Sequence, residues 1–284
     1  MEKEKGKLYI CATPIGNLGD ITPRVLDVLR EADLIAAEDT RNSIKLLNHF
    51  EIKTPMTSYH EFNKYDKAKE LVAMLLDGKN IAVITDAGTP CISDPGEELV
   101  KECVLSGIEV TSLPGASAVI TALSLSGLST RRFVFEGFLP PEKHKKERLK
   151  VLERLKDEER TIVLYEAPHR LKTTLTELSV LLGADRRISL CRELTKKHEE
   201  IIRTTLGEAV SLEPRGEYVL CIEGRSSEEL EAERRRTFMD MELSEHMDMY
   251  LSRGLDKKEA MKAVAKDRGL SKRDIYNELN SKDR

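Results

Sequence analysis

The sequence predicts an α/β fold of two α/β domains followed by a small C-terminal helical extension that is helix-turn-helix-like. Short runs rich in β-branched residues, such as KLYICAT and NIAVITD, alternate with helix-periodic stretches such as TPRVLDVLREAD. This alternation is typical of βαβ units with a largely parallel sheet. A break at SGLSTRRF separates a second alternating series, after which the sequence becomes strongly charged. We therefore expect domains at residues 1–128 and 129–225, with the extension at 226–284.

Composition limits the classes of protein to which this chain can belong. Of its 284 residues, 40% are hydrophobic and 34% are charged, which suits a sizeable core under a charged surface. No apolar run is long enough to span a bilayer and the amino terminus lacks the apolar core of a signal peptide, so we expect a cytoplasmic protein without a membrane partner. Aromatic residues are only 5% and Trp is absent, which argues against an aromatic-rich platform for single-stranded RNA. The net charge of −4 does not exclude nucleic acid, because local patches decide that contact.

The cysteine and histidine patterns indicate neither disulfides nor a metal site. The five cysteines are scattered and form no CxxC pair, and the six histidines lack ligand spacing. Cys11, Cys191 and Cys221 lie in apolar strand-like runs, where cysteine behaves as a small hydrophobe. We expect reduced structural thiols and no metal.

Local signals mark several element boundaries. Thr22 followed by Pro23 predicts a helix N-cap with proline in the first helical position. Gly78 and Gly107 each stand between a helix and a strand, as C-cap glycines do. Residues 226–250 are predicted to be a charged linker leading into a helix.

The end of the sequence has a helix-turn-helix pattern. In GLDKKEAMKAVAKDRGLSKRDIYNEL, two helical stretches flank Gly269, and Ser271 is a candidate cap for the second. Lys272 and Arg273 open that second helix, where contacts to nucleic acid are made in such motifs. A small helical cap or an oligomerisation element is the alternative interpretation.

Three loops between a strand and a helix suggest one ligand site. They are ATPIGNLGD, ITDAGTPCISDPG and SLPGASA, and the second is about twice as long as a simple turn requires. Gly16 and Gly19 permit close backbone approach, and Asp20 lies just before a helix. In open α/β sheets such loops meet at the carboxyl edge, where ligands bind. Neither a GxxxxGK[ST] phosphate loop nor a GxGxxG dinucleotide loop is present.

Charged side chains near these loops are candidates for chemistry and for RNA contact. A general base for a hydroxyl nucleophile could come from Glu38, Asp39 or Glu193, with Arg41 completing EDTR after an apolar strand. Basic residues could hold phosphates, namely Arg41, Arg170, Arg192, Lys196 and Lys197. For each lone charge, a solvated surface position or a weak ion pair is the alternative. His169 is expected to orient a loop, and His60 to belong to a mobile substrate loop.

The order of six motifs resembles the tetrapyrrole methylase superfamily, and more closely its branch that acts on ribosomal RNA. These motifs are ATPIGNLGD, DAGTPCISDPG, LPGASA, FEGFLP, YEAPHR and RELTKKHEE, within residues 7–225. The resemblance implies two α/β domains with S-adenosylmethionine (SAM) in the cleft between them, usually in a homodimer. It also implies methyl transfer to the ribose 2′-oxygen of a cytidine in the decoding region of 16S rRNA, with the 30S subunit as the expected partner.

Carried over motif by motif, the resemblance assigns residues to the SAM site. These are Pro14, Ile15, Gly16, Asp86, Ser93, Asp94, Ser117, Ala118, Tyr165 and Leu194. Tetrapyrrole-acting relatives have a first loop richer in glycine than TPIGNLGD, which argues for a different substrate in the same cleft. Two alternatives stay open: a methyltransferase acting on a small tetrapyrrole, and a non-catalytic RNA-binding module.

Overall fold

The structure is a computed structural model that describes residues 4–281. The chain divides into two compact units. One contains the residues up to 152 together with 161–223, and the other contains 153–160 together with the residues from 224 onward. The first unit holds two five-stranded sheets and the second is helical.

The first sheet is parallel throughout. Its strands are β1 (Lys7–Cys11), β2 (Leu34–Ala37), β3 (Met56–Ser58), β4 (Ile81–Ile84) and β5 (Glu109–Leu113). Their order is β3-β2-β4-β1-β5, and each neighbouring pair runs in the same direction. The three strands that precede the predicted ligand loops, β4, β1 and β5, are therefore adjacent, and their loops share the carboxyl edge of one sheet, as the sequence predicts.

Helices cover both faces of this sheet. They are α1 (Pro23–Glu31), α2 (Thr40–His49), α3 (Lys64–Leu76) and α4 (Gly96–Leu105). Leu29 of α1 and Leu47 of α2 pack on one face with Ile35, whereas Leu71 of α3 and Leu99 of α4 pack on the other. The helices that follow neighbouring strands β1 and β4 thus lie on opposite faces. Such a reversal opens a crevice at the carboxyl ends of the strands.

The predicted caps of these helices are confirmed, with one difference. Thr22 accepts a hydrogen bond from the Val25 amide and Pro23 opens α1. Gly78 and Gly107 follow α3 and α4 with φ of 91° and 62°, in the left-handed region that favours glycine. Asp20 does not cap α1, because it lies in a short 3₁₀ turn and Thr22 takes the capping position.

The second sheet is mixed. Its strands are β6 (Phe133–Phe138), β7 (Thr161–Glu166), β8 (Arg187–Arg192), β9 (Glu200–Thr205) and β10 (Tyr218–Ile222), in the order β6-β7-β10-β8-β9. Only β6 and β7 are parallel, and the other pairs are antiparallel. Antiparallel neighbours need no crossover helix, so a short loop suffices between β8 and β9. The associated helices are α5 (Ala118–Ser126), α6 (Lys145–Lys156), α7 (Pro168–Leu182) and α8 (Leu206–Ala209).

Helix α5 packs against the second sheet, although it follows a strand of the first. Val119 and Leu123 of this helix lie in a core cluster with Val163 of β7 and Val219 of β10. Side chains alternate along a strand, so Ile162 and Leu220, which are also buried, face the opposite side of that sheet.

The helical unit is more regular than the sequence predicts. Its helices are α9 (Ser227–Asp240), α10 (Leu243–Leu251), α11 (Lys257–Arg268) and α12 (Lys272–Ser281). The expected linker at 226–250 is therefore wrong. A capping box formed by Ser226 and Glu229 starts α9 directly. Gly269 ends α11 with a φ of 65°, and Ser271 Oγ accepts from the Asp274 amide at the start of α12. Of the helices in residues 4–281, none is long and apolar enough to cross a membrane.

The five cysteines are free thiols. Four of them are buried, and Cys91 is half-buried. Burial raises the pKa of Cys11 to about 12, which leaves this thiol protonated and unreactive at neutral pH. The prediction of reduced structural thiols agrees with this arrangement.

Candidate active site

A cavity of about 500 Å³ lies within the first unit, between the carboxyl edge of the first sheet and one face of the second. Residues predicted for the SAM site contribute much of its wall, namely Ile15, Asp86, Ser93, Asp94, Ser117, Ala118, Tyr165 and Leu194. Glu38, Glu193 and Lys196 also line it. Pro14 and Gly16 lie in the first loop but are not among the lining residues.

The first two loops are joined by a short antiparallel bridge. The Thr13 amide donates to the Gly88 carbonyl at 2.9 Å, and the Gly88 amide donates back to Thr13 at 3.1 Å. The buried Thr13 hydroxyl adds a bond to the Thr85 carbonyl at 3.0 Å. The bridge fixes the loop after β1 against the loop after β4, so the ligand wall is set by backbone hydrogen bonds.

The second loop also reaches the third. Thr89 Oγ1 donates to the Ala116 carbonyl at 3.1 Å. Gly88 has a φ of 84°, and a Cβ there would lie 3.2 Å from Cγ2 of Ile15. Gly115 approaches even more closely, because a Cβ on it would lie 2.6 Å from Cβ of Ala12. Glycine is required at both positions, by backbone conformation in one case and by contact in the other.

The second loop carries two carboxylates in different environments. Asp94 accepts from the Gly96 amide at 2.7 Å, and burial raises the pKa of this carboxyl more than that hydrogen bond lowers it. Asp86 is exposed toward the cavity and accepts from Asn42 Nδ2 at 3.1 Å. Ser93, between them, has a φ of 63°, an uncommon conformation for a residue other than glycine. Strained backbone of this kind concentrates at functional sites.

The residues of the EDTR motif lie partly at the cavity wall and partly at the surface. Glu38 lines the cavity and accepts from Thr85 Oγ1 at 2.5 Å. Asp39 caps α2 through the Arg41 amide and pairs with the Arg41 guanidinium at 2.7 Å. That guanidinium lowers the pKa of Asp39 to about 2, while the Arg41 side chain remains 88% exposed.

Aromatic rings form part of the second-sheet wall. The Tyr165 ring meets Phe135 edge-on at 4.9 Å and lies 5.4 Å from Phe138. Burial raises the pKa of the Tyr165 phenol. Leu194 is buried beside it in the same core cluster. Together they present a flat apolar surface of the kind that ligand pockets use for ring systems.

Glu193 is a fixed carboxylate in the loop after β8. Its Oε1 accepts from the Glu217 amide at 2.9 Å and from Lys196 Nζ at 3.1 Å. The Glu217 amide lowers the pKa of Glu193, and Lys196 lowers it further. A Cβ on Gly216 would lie 2.6 Å from the Glu193 side chain, so glycine makes room for it. These contacts leave Glu193 poorly suited to accept a proton.

Loops of the first sheet and elements of the second approach each other closely at two places. A Cβ on Gly16 would lie 2.3 Å from Cγ of Lys196, so the first loop packs directly on the loop after β8. A Cβ on Gly137, at the bulge in β6, would lie 3.1 Å from Oγ of Ser93. Lys196 and Ser93, one from each of these two places, also line the cavity.

The basic residues predicted to bind RNA have different surroundings. Arg170 is mostly buried, bonds the Leu139 carbonyl at 2.6 Å and lies 3.5 Å from Glu166. Arg192 is 19% exposed and pairs with Glu200 at 2.9 Å. Lys196 pairs with Glu193 and Glu217. The exposed members of the set are Arg41, Lys197, Lys272 and Arg273. His169 is also exposed, at the start of α7.

Several lining residues were not predicted from the sequence. Glu166 lines the cavity although it is 2% exposed, and its carboxylate accepts from the Ala167 amide and the Thr174 hydroxyl. Phe138, Glu217 and Tyr218 are the other notable additions. Glu166 ends β7 in YEAPHR, and Phe138 ends β6 in FEGFLP. Their position at the end of a strand is the signal that could have identified them. Among the described residues, no group of three acidic, histidine or cysteine side chains could hold a metal ion.

Comparison with known proteins decides the family. The model for the Tetrapyrrole (Corrin/Porphyrin) Methylases matches residues 7–210, which include both sheets except β10. The chain belongs to this family. The predicted fold is confirmed, and the chain is a methyltransferase of the tetrapyrrole methylase type.

Two methylases with closely related sequences have the same name. A protein from Synechocystis sp. named "Ribosomal RNA small subunit methyltransferase I" is 48% identical over 275 residues, which cover 95% of this chain and 96% of that protein. A protein of the same name from Bacillus subtilis is 46% identical, covering 99% of this chain and 96% of the relative.

Solved structures of more distantly similar proteins have the same fold. A uroporphyrin-III C-methyltransferase from Thermus thermophilus, complexed with S-adenosylhomocysteine, is 17% identical with a TM-score of 0.54. The match covers 77% of this chain and 97% of that one. A conserved hypothetical protein from Aeropyrum pernix is 17% identical with a TM-score of 0.63, over 94% of this chain and 91% of that one.

Proposed function

We propose that this methylase transfers the methyl group of SAM to the ribose 2′-oxygen of a cytidine in the decoding region of 16S rRNA. One observation carries the proposal. Relatives that match nearly the whole chain at 46–48% identity are named for methylation of small-subunit ribosomal RNA. The cavity supports it by providing a small-molecule site with a carboxylate suited to a proton-transfer role.

The residues of the cavity fit SAM. A volume of about 500 Å³ is in the usual range of about 300–1,000 Å³ for small-molecule sites. The close-approach glycines and the bridged loops provide backbone groups that a ligand can contact. Ser117 precedes α5 without capping it through its side chain, which leaves amides of the first turn for a ligand. Because GxGxxG is absent, this site differs from a dinucleotide loop.

Each wall of the cavity would hold a different part of SAM. Tyr165 and Leu194 supply an apolar surface for the adenosine, and Asp86 supplies a carboxylate for polar or cationic ends. Bound SAM supplies a methyl group on a positively charged sulfur, which an oxygen nucleophile can attack. Holding the reacting groups in line contributes roughly 7–11 kcal/mol to such a transfer. The bridged loops suit this task because they do not need to be ordered by the ligand.

Glu38 is the carboxylate best placed to accept the ribose proton. It lines the cavity and is oriented by Thr85, whereas Asp39 is paired with Arg41 and does not line the cavity. Glu193 lines it as well, but the Glu217 amide and Lys196 lower its pKa. A base in hydrogen-bond reach of the hydroxyl contributes about 10²–10⁴-fold to rate.

Exposed basic side chains would position the RNA. Arg41 is the second residue of α2, and its guanidinium is open to solvent. Lys197 in the first unit and Lys272 and Arg273 in the second are exposed as well. Phosphate contacts of this kind fix register without reading sequence. A homodimer acting on the 30S subunit in the cytoplasm completes the proposal.

Tritium transfer from labelled SAM tests this function. The substrates are 30S subunits and deproteinised 16S rRNA from a strain that lacks the modification, and nuclease mapping locates the label. We expect label on one ribose of the decoding region, and comparison of the two substrates shows which form is recognised. Absence of label on both, with SAM binding established by calorimetry, would contradict the RNA substrate and redirect the search to small tetrapyrroles.

A further inference from the structure

The turn that follows β3 exposes an aromatic ring that the fold does not use. Phe62 is 97% exposed, in the segment His60-Glu61-Phe62-Asn63. Burial of a phenylalanine side chain stabilises a fold, so leaving one in solvent forgoes that stabilisation. Exposed rings of this kind are suited to binding a partner.

Hydrogen bonds fix the backbone of the turn that carries Phe62. The His60 amide donates to Asn63 Oδ1 at 2.8 Å, and the Asn63 amide donates back to the His60 carbonyl at 3.0 Å. Asn63 Nδ2 also bonds the Ser58 carbonyl at 3.2 Å, which ties the turn to its own strand. Phe62 therefore stands at the tip of a hydrogen-bonded turn, with the His60 ring 6.1 Å away in an edge-on arrangement.

Strand register places this turn beside the candidate base. Ser58 pairs with Ala37 in adjacent parallel strands, and the Tyr59 amide donates to the Ala37 carbonyl at 2.8 Å. Glu38 follows Ala37 directly, so the turn leaves β3 at the same edge and about one strand spacing away. The buried Tyr59 hydroxyl bonds the Pro95 carbonyl at 2.8 Å, which anchors the turn to the second ligand loop.

Neighbouring side chains add a second ring and cationic groups. Tyr65, at the start of α3, is 61% exposed, and Lys64 Nζ lies 5.3 Å from the centre of its ring. The open Arg41 guanidinium lies at the start of the helix that follows β2, the strand paired with β3. Two exposed rings and an exposed guanidinium thus occur at the edge of the sheet that carries Glu38.

We propose that Phe62 stacks on an unpaired nucleobase adjoining the methylated nucleotide, with Tyr65 extending the stacking surface. This inference rests on the RNA substrate of the proposed function. A nucleobase needs only one ring face, and it is the partner that combines a flat apolar surface with the phosphate that Arg41 would bind.

A second copy of the chain fits the turn less well. A stable protein interface buries about 800 Å² on each partner, with an apolar centre. Phe62 is instead flanked by exposed Glu61 and half-buried Asn63. An exposed ring flanked by polar side chains suits stacking on a single base. The low aromatic content predicts against an aromatic-rich platform, but one ring on the turn and a second at the start of α3 are enough for one or two bases.

Kinetics with Phe62→Ala test the stacking. Loss of one base–aromatic stack, worth about 1–3 kcal/mol, corresponds to an increase in KM for 30S subunits of about 5–150-fold, with kcat unchanged. Val180→Ala removes apolar surface from an 83% exposed position on α7 and serves as the matched control. SAM affinity, measured by calorimetry, should be the same in both variants and in the wild type. A KM for Phe62→Ala within twofold of wild type overturns the proposal.

Phe62→Trp provides a direct readout, since the chain has no other Trp. We expect its fluorescence to be quenched by a 16S rRNA fragment that contains the decoding region, and its KM to stay near that of wild type. Unchanged fluorescence of Phe62→Trp at saturating RNA overturns the stacking. A change in the oligomeric state of Phe62→Ala in sedimentation analysis also overturns it, because that result would assign the ring to a contact between copies of the chain. If wild type transfers no methyl to RNA, the proposed function itself fails, and the quenching experiment still reports on stacking separately.

Discussion

Thr85 Oγ1 donates a hydrogen bond to Glu38 Oε2 across 2.5 Å and thereby joins the carboxyl ends of β4 and β2. The Thr85 side chain is buried, and Glu38 is half-buried at the cavity wall. The bond restricts the rotamers of the carboxylate and fixes the direction in which its second oxygen points. In the proposed function, a carboxylate positioned in this way beside the SAM site serves as the general base for the ribose hydroxyl.

Replacing Glu38 by Gln should therefore slow methyl transfer while leaving SAM binding nearly unchanged. We expect single-turnover rates to fall by about 10²–10⁴-fold and calorimetric SAM affinity to change little. Thr85→Val should lower the rate about tenfold, because the carboxylate remains but loses its orienting partner. Glu31→Gln, at an exposed position at the end of α1, is the control. A rate for Glu38→Gln within threefold of wild type would show that Glu38 is not the base.

Gly88→Ala should weaken SAM binding through the loop bridge. At a φ of 84°, alanine costs about 1–2 kcal/mol in backbone strain, and its Cβ would also press on Ile15 from 3.2 Å. Gly254→Ala is the matched control, because Gly254 has a φ of 87° with nothing within 4 Å of the added Cβ. Both variants should unfold at lower temperature, and only Gly88→Ala should lose SAM affinity. Equal SAM affinity in the two variants would argue that the bridge does not shape the site.

Local and short-range features of the fold were predictable from the sequence. The Thr22 cap, the helix-ending Gly78 and the shared sheet edge of the three ligand loops follow from backbone chemistry within a few residues and from parallel βαβ connections. The capping box that starts α9 was also readable, because Ser226 and Glu229 have the required spacing. The charged composition of residues 226–250 nevertheless predicts a linker, and that prediction is wrong.

Features set by distant parts of the chain were not predictable. The antiparallel direction of β8, β9 and β10 depends on tertiary pairing, which strand periodicity does not encode. Glu166 is a charged residue buried in the cavity wall, and it is compensated by Thr174 eight residues later and by Arg170. Burial of Arg170 likewise depends on that packing, so its role in RNA binding stays a prediction with less geometric support than that of Arg41.

The Asp39–Arg41 pair should make stability depend on pH in the acid range. Hydrogen bonds from Arg41 lower the pKa of Asp39 from an ordinary 3.8 to about 2. A depressed carboxyl pKa contributes stability above the unfolded value, and that stability is lost as the pH falls from about 4 to about 2. We expect carbon NMR to show Asp39 titrating near 2, and to show a higher value in Arg41→Gln. An unchanged Asp39 titration in Arg41→Gln would contradict the pairing.

Lys272 and Arg273 should contribute to RNA affinity through phosphate contacts. If each neutralises one phosphate, the double alanine variant should bind 30S subunits more weakly, and its dependence of log K on log salt should be shallower by about 1.4–1.8. Lys257→Ala with Lys258→Ala removes the same charge from exposed positions at the start of α11 in the same unit. Identical salt slopes for the two double variants would show that the loss of RNA affinity depends only on net charge. That result would favour the alternative that these helices are a structural cap.

His246 should make the helical unit less stable in mild acid. Its side chain is fully buried, stacked on Phe238 at 4.3 Å, and Nδ1 accepts from Arg268 Nε at 3.2 Å while Nε2 lies 3.3 Å from Asp267 Oδ2. With Nδ1 as acceptor, the ring is neutral and donates from Nε2 to the carboxylate.

Burial lowers the pKa of His246 below 6.5. At a pH between the folded and unfolded pKa values, the unfolded chain therefore binds a proton at this side chain and the folded unit does not. Stability is therefore full above about pH 6.5 and decreases below it, with a slope of at most about 1.4 kcal/mol per pH unit down to the folded pKa. Hydrogen exchange of amides in α10 and α11 between pH 7 and pH 5 measures the slope after correction for intrinsic rates. His246→Gln should remove that slope, whereas His198→Gln, at an exposed position in the first unit, should leave it unchanged. Retention of the slope in His246→Gln would assign it to another group, and the neighbouring Asp267 would be the next to substitute.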